Sequence, residues 1–162
     1  MKKTISTTVV FICFLSFANA QLKTKPACGV FSVDILNGTV DNIKPDISID
    51  EMRQKFPCFT SQEQDNGKCG SALFFKDRDI KFFLKRQYVE IGPAFKGRLS
   101  IPLLGAARGS LFKYFGNVKI KDEKWDAYEM AYGTLVLHYN NANKVNLIQF
   151  STKGTESLEL CE

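Results

Sequence analysis

Histidine and tryptophan are nearly absent from this 162-residue chain, with His138 and Trp125 each standing alone. A single imidazole excludes a multi-histidine metal site. The five cysteines include no C-x-x-C pair, so neither zinc-ribbon nor thioredoxin-type chemistry is written here. The chain also lacks G-x-S-x-G, H-E-x-x-H, a Walker phosphate loop and the Rossmann glycine pattern. The short signatures of serine hydrolases, zinc proteases and nucleotide-binding enzymes are therefore missing, and no cofactor or metal is implied. Beyond residue 20 no apolar run reaches the length of a membrane-spanning helix. A hydrophobic content of 44% excludes disorder for the bulk of the chain.

Residues 1–20 have the layout of a secretory signal peptide. Lys2 and Lys3 form a basic start, Thr7 to Phe17 an apolar centre, and Ala18-Asn19-Ala20 a small-x-small cleavage site. The expectation is an exported, soluble protein, periplasmic or extracellular, whose mature form starts at Gln21 and whose signal has a bacterial look. Residues 21–162 read as one domain, or as two small repeats sharing a core. Export makes nucleic acid a poor partner and an oxidising compartment the setting for the cysteines.

Cys13 would leave with the signal peptide. Cys28, Cys58, Cys69 and Cys161 remain, an even number that points to two disulfides. Three connectivities are open. The favoured one closes the turn-rich loop Ser61 to Gly67 with Cys58–Cys69 and ties the chain ends with Cys28–Cys161. On a chain-entropy argument these are worth about 3 and about 5 kcal/mol.

Local signals place the elements. Ser48 followed by Glu51 is a capping box, and Ile49, Met52 and Phe56 form an apolar stripe, so a helix is expected over Ile47–Phe56, stopped by Pro57. Leu73–Phe75 and Ile80–Leu84 flank a charged turn and read as a hairpin, with Tyr88–Ile91 as a third strand. Pro102 confines Leu99–Leu104 to a loop or an edge strand. Gly109–Phe115 is a second helix candidate, with Ser110 as its cap and Gly116 as its stop. Thr134–Tyr139 is a clear strand, with Leu135 and Leu137 on one face and Val136 and His138 on the other. Asn140–Asn143 is a turn, and Val145–Phe150 the return strand.

Asp122–Tyr132 is ambiguous. Trp125, Tyr128 and Tyr132 have helical spacing, while their aromatic character also suits a strand. These three residues are the candidate binding patch, because aromatic rings with a polar edge suit interfaces. The chain carries 14 Phe and 5 Tyr. The adjacent pairs Phe74-Phe75 and Phe82-Phe83 send one ring to each sheet face, so something must cover the second face.

Charge is uneven. Between Lys96 and Lys124 seven basic side chains meet only Asp122 and Glu123. Such a segment suits an anionic envelope surface or an acidic partner, if the cluster survives folding. The carboxylate pairs Asp50-Glu51 and Asp122-Glu123 have sufficient explanations as helix capping and a solvated turn. His138 in a strand is more often an ordinary polar position than a general base.

The order helix, strand, turn, strand occurs twice, over 43–91 and 105–151, with a period of about 60 residues. Its entry, Ile-Lys-Pro-Asp-Ile-Ser-Ile-Asp-Glu-Met over Ile43–Met52, resembles the helix starts of the tandem helix-plus-antiparallel-sheet modules of the β-lactamase inhibitory protein fold, and of small outer-membrane lipoproteins that share it. The resemblance covers Ile43–Phe56, and more loosely Gly109–Gly116 with the two hairpins. Asp46 stands where the motif usually has Gly, and the second copy lacks the acidic residue after the cap. The resemblance implies an α+β fold and a binding role, and it transfers no functional residue.

The sequence therefore predicts an α+β domain: an antiparallel sheet of hairpins with short helices on one face, as a single unit or as two tandem repeats. Its expected role is a non-enzymatic binding protein of the bacterial envelope, inhibitor- or immunity-like, meeting another envelope or secreted protein. The alternatives are a small envelope hydrolase using His138 with an acidic residue, and a polysaccharide-binding module.

Overall fold

The computed structural model describes residues 27–161; the expected signal peptide and Gln21–Pro26 lie outside the described residues. In chain order the strands are β1 (Ser32–Asp34), β2 (Thr39–Val40), β3 (Ser61–Glu63), β4 (Ala72–Phe75), β5 (Ile80–Phe83), β6 (Tyr88–Ile91), β7 (Arg98–Leu99), β8 (Ile120–Lys121), β9 (Trp125–Met130), β10 (Gly133–Tyr139) and β11 (Val145–Ser151). Two short α-helices occur among the described residues, α1 (Ile49–Lys55) and α2 (Phe112–Phe115), and a 3-10 turn at Arg108–Ser110 precedes α2. The fold is α+β, dominated by sheet.

Eight strands form one sheet in the order β3-β4-β5-β6-β11-β10-β9-β8, every pair antiparallel. Two four-stranded meanders thus join through their last strands, with Ile148 opposite Ile91 and Phe150 opposite Val89. A smaller sheet, β2-β1-β7, pairs β1 with β7 in parallel.

Alternation along the strands sets the layers. Leu73, Phe75, Ile80, Phe82, Val89, Ile91, Leu135, Leu137, Ile148 and Phe150 share one buried cluster with Phe31 and Val33 of the small-sheet segment and with Met52 and Phe56 at α1. Phe31, Phe56, Phe75 and Phe82 meet edge-on or stacked, with centroids 5.1 to 6.4 Å apart. This first face is the main core.

Helix α1 forms where the capping box predicts it. Glu51 N–H donates to Ser48 Oγ at 3.3 Å, and Ser48 N–H donates to Glu51 Oε2 at 3.1 Å. The second helix differs from expectation. Ser110 is not its cap; the Ser110 hydroxyl donates to Ala107 O at 2.7 Å, and Leu111 occupies the cap position without a side-chain bond. Four residues follow before Gly116 turns the chain at a φ of 69°, a backbone that favours glycine.

All four cysteines among the described residues are bridged, but not in the favoured pairing. The bonds are Cys28–Cys58 and Cys69–Cys161. The loop after Cys58 is not closed on itself, because Ser61–Glu63 is β3 and pairs with β4. Thr60 N–H and its hydroxyl both donate to Phe74 O, which ties the stretch after Cys58 to β4, and Arg86 and Tyr88 hold residues 160 and 161 beside Cys69.

Candidate functional site

The second face of the large sheet carries a small buried cluster, a polar row and a cleft. At the β4–β6 end Ala72, Phe83, Tyr88 and Cys69 form a small buried cluster under Leu160 and Cys161. Phe83 and Tyr88 stack at 4.5 Å. The carboxy-terminal segment, residues 152–161, is tied down along its path. Thr134 Oγ1 donates to Lys153 O at 2.8 Å, Arg86 Nη1 to Leu160 O at 2.8 Å, and Cys161 N–H to Tyr88 Oη at 3.0 Å. Burial, opposed by the bond from Cys161, pushes the Tyr88 hydroxyl up to about 12.

A polar row crosses four adjacent strands on this face. Lys81 Nζ lies 2.5 Å from Glu90 Oε1, Gln149 Nε2 donates to Glu90 Oε2 at 3.0 Å, and Gln149 Oε1 lies 2.8 Å from His138 Nε2. Register explains the row, since Lys81 faces Glu90 across β5–β6 and Glu90 faces Gln149 across β6–β11. The row also fixes a tautomer. The Gln149 amide nitrogen is spent on the carboxylate, so its oxygen faces His138. An amide oxygen only accepts, so His138 Nε2 carries the proton and Nδ1 holds a lone pair in the neutral ring.

Beside His138 lies a half-enclosed cleft of about 250 Å³. Ile120, Trp125, Ala127, Thr134, Val136 and His138 form its sheet wall, and Thr155, Leu158 and Leu160 of the tail its other wall. Trp125 and His138 are direct partners across β9–β10, so both project to this face. No charged side chain among the described residues lines the cleft, and the nearest carboxylate on the row, Glu90, reaches His138 only through Gln149.

The structure separates the aromatic candidates. Residues 125–130 are strand β9, so residues three apart point to opposite faces. Trp125 lines the cleft. Tyr128 is 1% exposed in the main core, its ring 5.2 Å from Phe115. Tyr132 follows the strand and packs at the core edge, 6.3 Å from Phe150. The three rings share no common surface. The exposed aromatics among the described residues are Phe112 and Tyr114 of α2.

The other candidates have structural partners. Asp50 pairs with Arg53 at 3.0 Å, and the Asp122 and Glu123 carbonyls accept from Arg108. Folding pairs two of the seven basic residues of the 96–124 segment: Arg108 turns inward to Asp126, and Lys119 meets Glu129 at 3.1 Å. Gln149, Glu90 and Leu158 were not legible as site residues. Alternation on β11 puts Gln149 opposite the core side, but its meeting with Glu90 depends on a pairing 59 residues distant.

No protein-family model, curated protein or solved structure matches the chain.

Proposed function

We propose that this is a non-enzymatic binding protein of the bacterial envelope, and that it binds through the cleft between the second sheet face and the carboxy-terminal tail. One observation carries the reading: a preformed, mainly apolar recess whose polar wall residue, His138, is held in a hydrogen-bonded row. Small-ligand sites are concave, mostly apolar and equipped with a few fixed polar groups. Two disulfides fit export into an oxidising compartment, and no helix among the described residues is long and apolar enough to cross a membrane. The paired meanders, each preceded by a short helix, support a duplicated module like that of the β-lactamase inhibitory protein fold, which the entry motif resembles.

An inhibitor- or immunity-type role through a protein surface is the second reading. It is favoured by Phe112 and Tyr114, which are 66% and 41% exposed on the short helix α2.

The test is capture from envelope extract on the oxidised exported protein, with bound proteins and small molecules both identified. Trp125→Ala and Phe112→Ser/Tyr114→Ser are run beside wild type. Material lost with Trp125→Ala supports the cleft, and a protein lost only with the double variant supports the helix. A hydrolytic activity of the purified protein that His138→Ala abolishes overturns the non-enzymatic reading.

A further inference from the structure

The walls of the cleft select a ligand class. A cavity of about 150 Å³ lined by apolar groups accepts benzene, so about 250 Å³ holds one substituted aromatic ring. Ile120, Ala127, Val136, Leu158 and Leu160 supply an apolar wall, and the Trp125 indole supplies a flat one. Among the described residues no ammonium, guanidinium or carboxylate is in the lining, so a charged group inside would lose its hydration without gaining a counter-charge from them.

The polar groups narrow the class further. The Thr134 hydroxyl proton is spent on Lys153 O, which leaves its oxygen able only to accept, and the His138 Nε2–H is spent on Gln149. Thr155, whose hydroxyl donates or accepts, does not discriminate. What His138 still offers is the Nδ1 lone pair, which only accepts. A ligand that meets His138 Nδ1 brings an O–H or N–H donor.

We infer that the cleft is a binding site for an uncharged, phenol-type molecule: one aromatic ring against Trp125 carrying a hydrogen-bond donor for His138 Nδ1. This rests on the reading of the cleft as the protein's binding site and adds the ligand's chemistry.

Trp125 is the single tryptophan of the chain, so its emission reports the cleft directly. The oxidised protein is titrated with 4-ethylphenol, ethylbenzene and 4-ethylbenzoate, followed by Trp125 emission and by calorimetry. The expected result is saturable binding of 4-ethylphenol and at least ~10-fold weaker binding of the other two, the size of effect one lost hydrogen bond gives. His138→Ala should bring 4-ethylphenol down to the affinity of ethylbenzene. Leu158→Glu, on the disulfide-held tail, should abolish binding while cooperative unfolding is retained, and it carries the test if His138→Ala does not fold. Nitrogen chemical shifts of His138 check the Nε2–H tautomer independently. Equal affinity for ethylbenzene, or preference for the benzoate, overturns the donor assignment. No saturable response to any of the three overturns the site. If extract capture still depends on Trp125 while all three probes fail, the ligand class falls and the binding reading stands; if both fail, both fall.

Discussion

The Arg108 guanidinium grips the Asp126 carboxylate through two hydrogen bonds, Nε to Oδ2 at 2.9 Å and Nη2 to Oδ1, while lying 4.6 Å from the centroid of the Tyr139 ring. Tyr139 Oη donates to the same carboxylate at 2.8 Å. The Asp126 side chain is only 2% exposed. Arg108 also donates to the Asp122 and Glu123 carbonyls, so one side chain pins the 105–118 connection to the sheet. Arg108→Ala strands a buried carboxylate and should cost about 3–5 kcal/mol in denaturant unfolding. Arg108→Lys should also destabilise, because a point charge cannot replace the bidentate fork. Arg108→Met/Asp126→Leu, which removes both charges, should recover much of the loss. If Arg108→Ala costs no more than a surface substitution, the clamp is not structural.

Tyr132 presents the opposite case, a buried hydroxyl without a hydrogen-bond partner. Its ring closes over Gly38, where an added Cβ would lie 2.5 Å from Tyr132 Cδ2 and where φ is +63°. Tyr132→Phe keeps the packing and removes the unpaired group, so thermal unfolding at neutral pH should show a gain of about 1 kcal/mol. Gly38→Ala should lose at least that much through clash and backbone strain. Burial raises the phenols of Tyr88, Tyr128, Tyr132 and Tyr139 above the ordinary value. The fold therefore favours their neutral forms. That contribution is complete below pH ~10, the unfolded phenol value, and is lost as pH rises through the folded values, with Tyr88 at about 12. Tyrosinate absorbance of these residues should rise together with alkaline unfolding, and Tyr132→Phe should make that limb shallower.

At acid pH Glu51 contributes beside Asp34, whose carboxyl is held down by its bond from the Asn37 side chain. The Glu51 bonds to the Ser48 N–H and hydroxyl hold its carboxyl below the ordinary value of 4.5. A lowered folded value contributes stability above pH ~4.3, the unfolded carboxylate value, and loses it as pH falls through the folded value. Glu51→Gln should change neutral stability little and flatten the acid limb of the stability profile. Ser48→Ala should cost about 0.5–2 kcal/mol at neutral pH by removing the cap. An unchanged acid limb in Glu51→Gln would show that the Glu51–Ser48 bonds contribute nothing to acid stability.

What was legible in the sequence was local. The capping box at Ser48–Glu51, the hairpin of β4 and β5, and the β10–β11 hairpin all follow from residues a few positions apart. Non-local pairing was not legible. The β6–β11 junction makes one sheet of the two meanders, and the disulfides link positions 30 and 92 apart, choices that no local turn chemistry decides. Trp125, Tyr128 and Tyr132 left helix and strand open: their spacing suits a helix period, whereas burial of Tyr128 and Ala127 on opposite faces needs a strand. His138 was visible as a lone imidazole, but its hold by Gln149 and Glu90 exists only once three strands align.

The Cys69–Cys161 bond links residues 92 positions apart and fixes the tail that forms one wall of the cleft. Cutting it should act on both stability and the site. Cys69→Ser/Cys161→Ser releases the chain end from Tyr88 and Arg86, whose bonds to residues 160 and 161 are too few to hold a frayed terminus alone. The loss expected is about 2–5 kcal/mol, read as a lower denaturant midpoint. Leu158 and Leu160 should swing away from Trp125, so its emission should shift to the red even under conditions where the sheet stays folded by circular dichroism. Cys28→Ser/Cys58→Ser, which cuts a bond packed with the main core, should lower the midpoint without that local shift, because neither cysteine lines the cleft. A red shift of the same size in both double variants would mean that Trp125 reports general loosening and that the tail does not close the cleft.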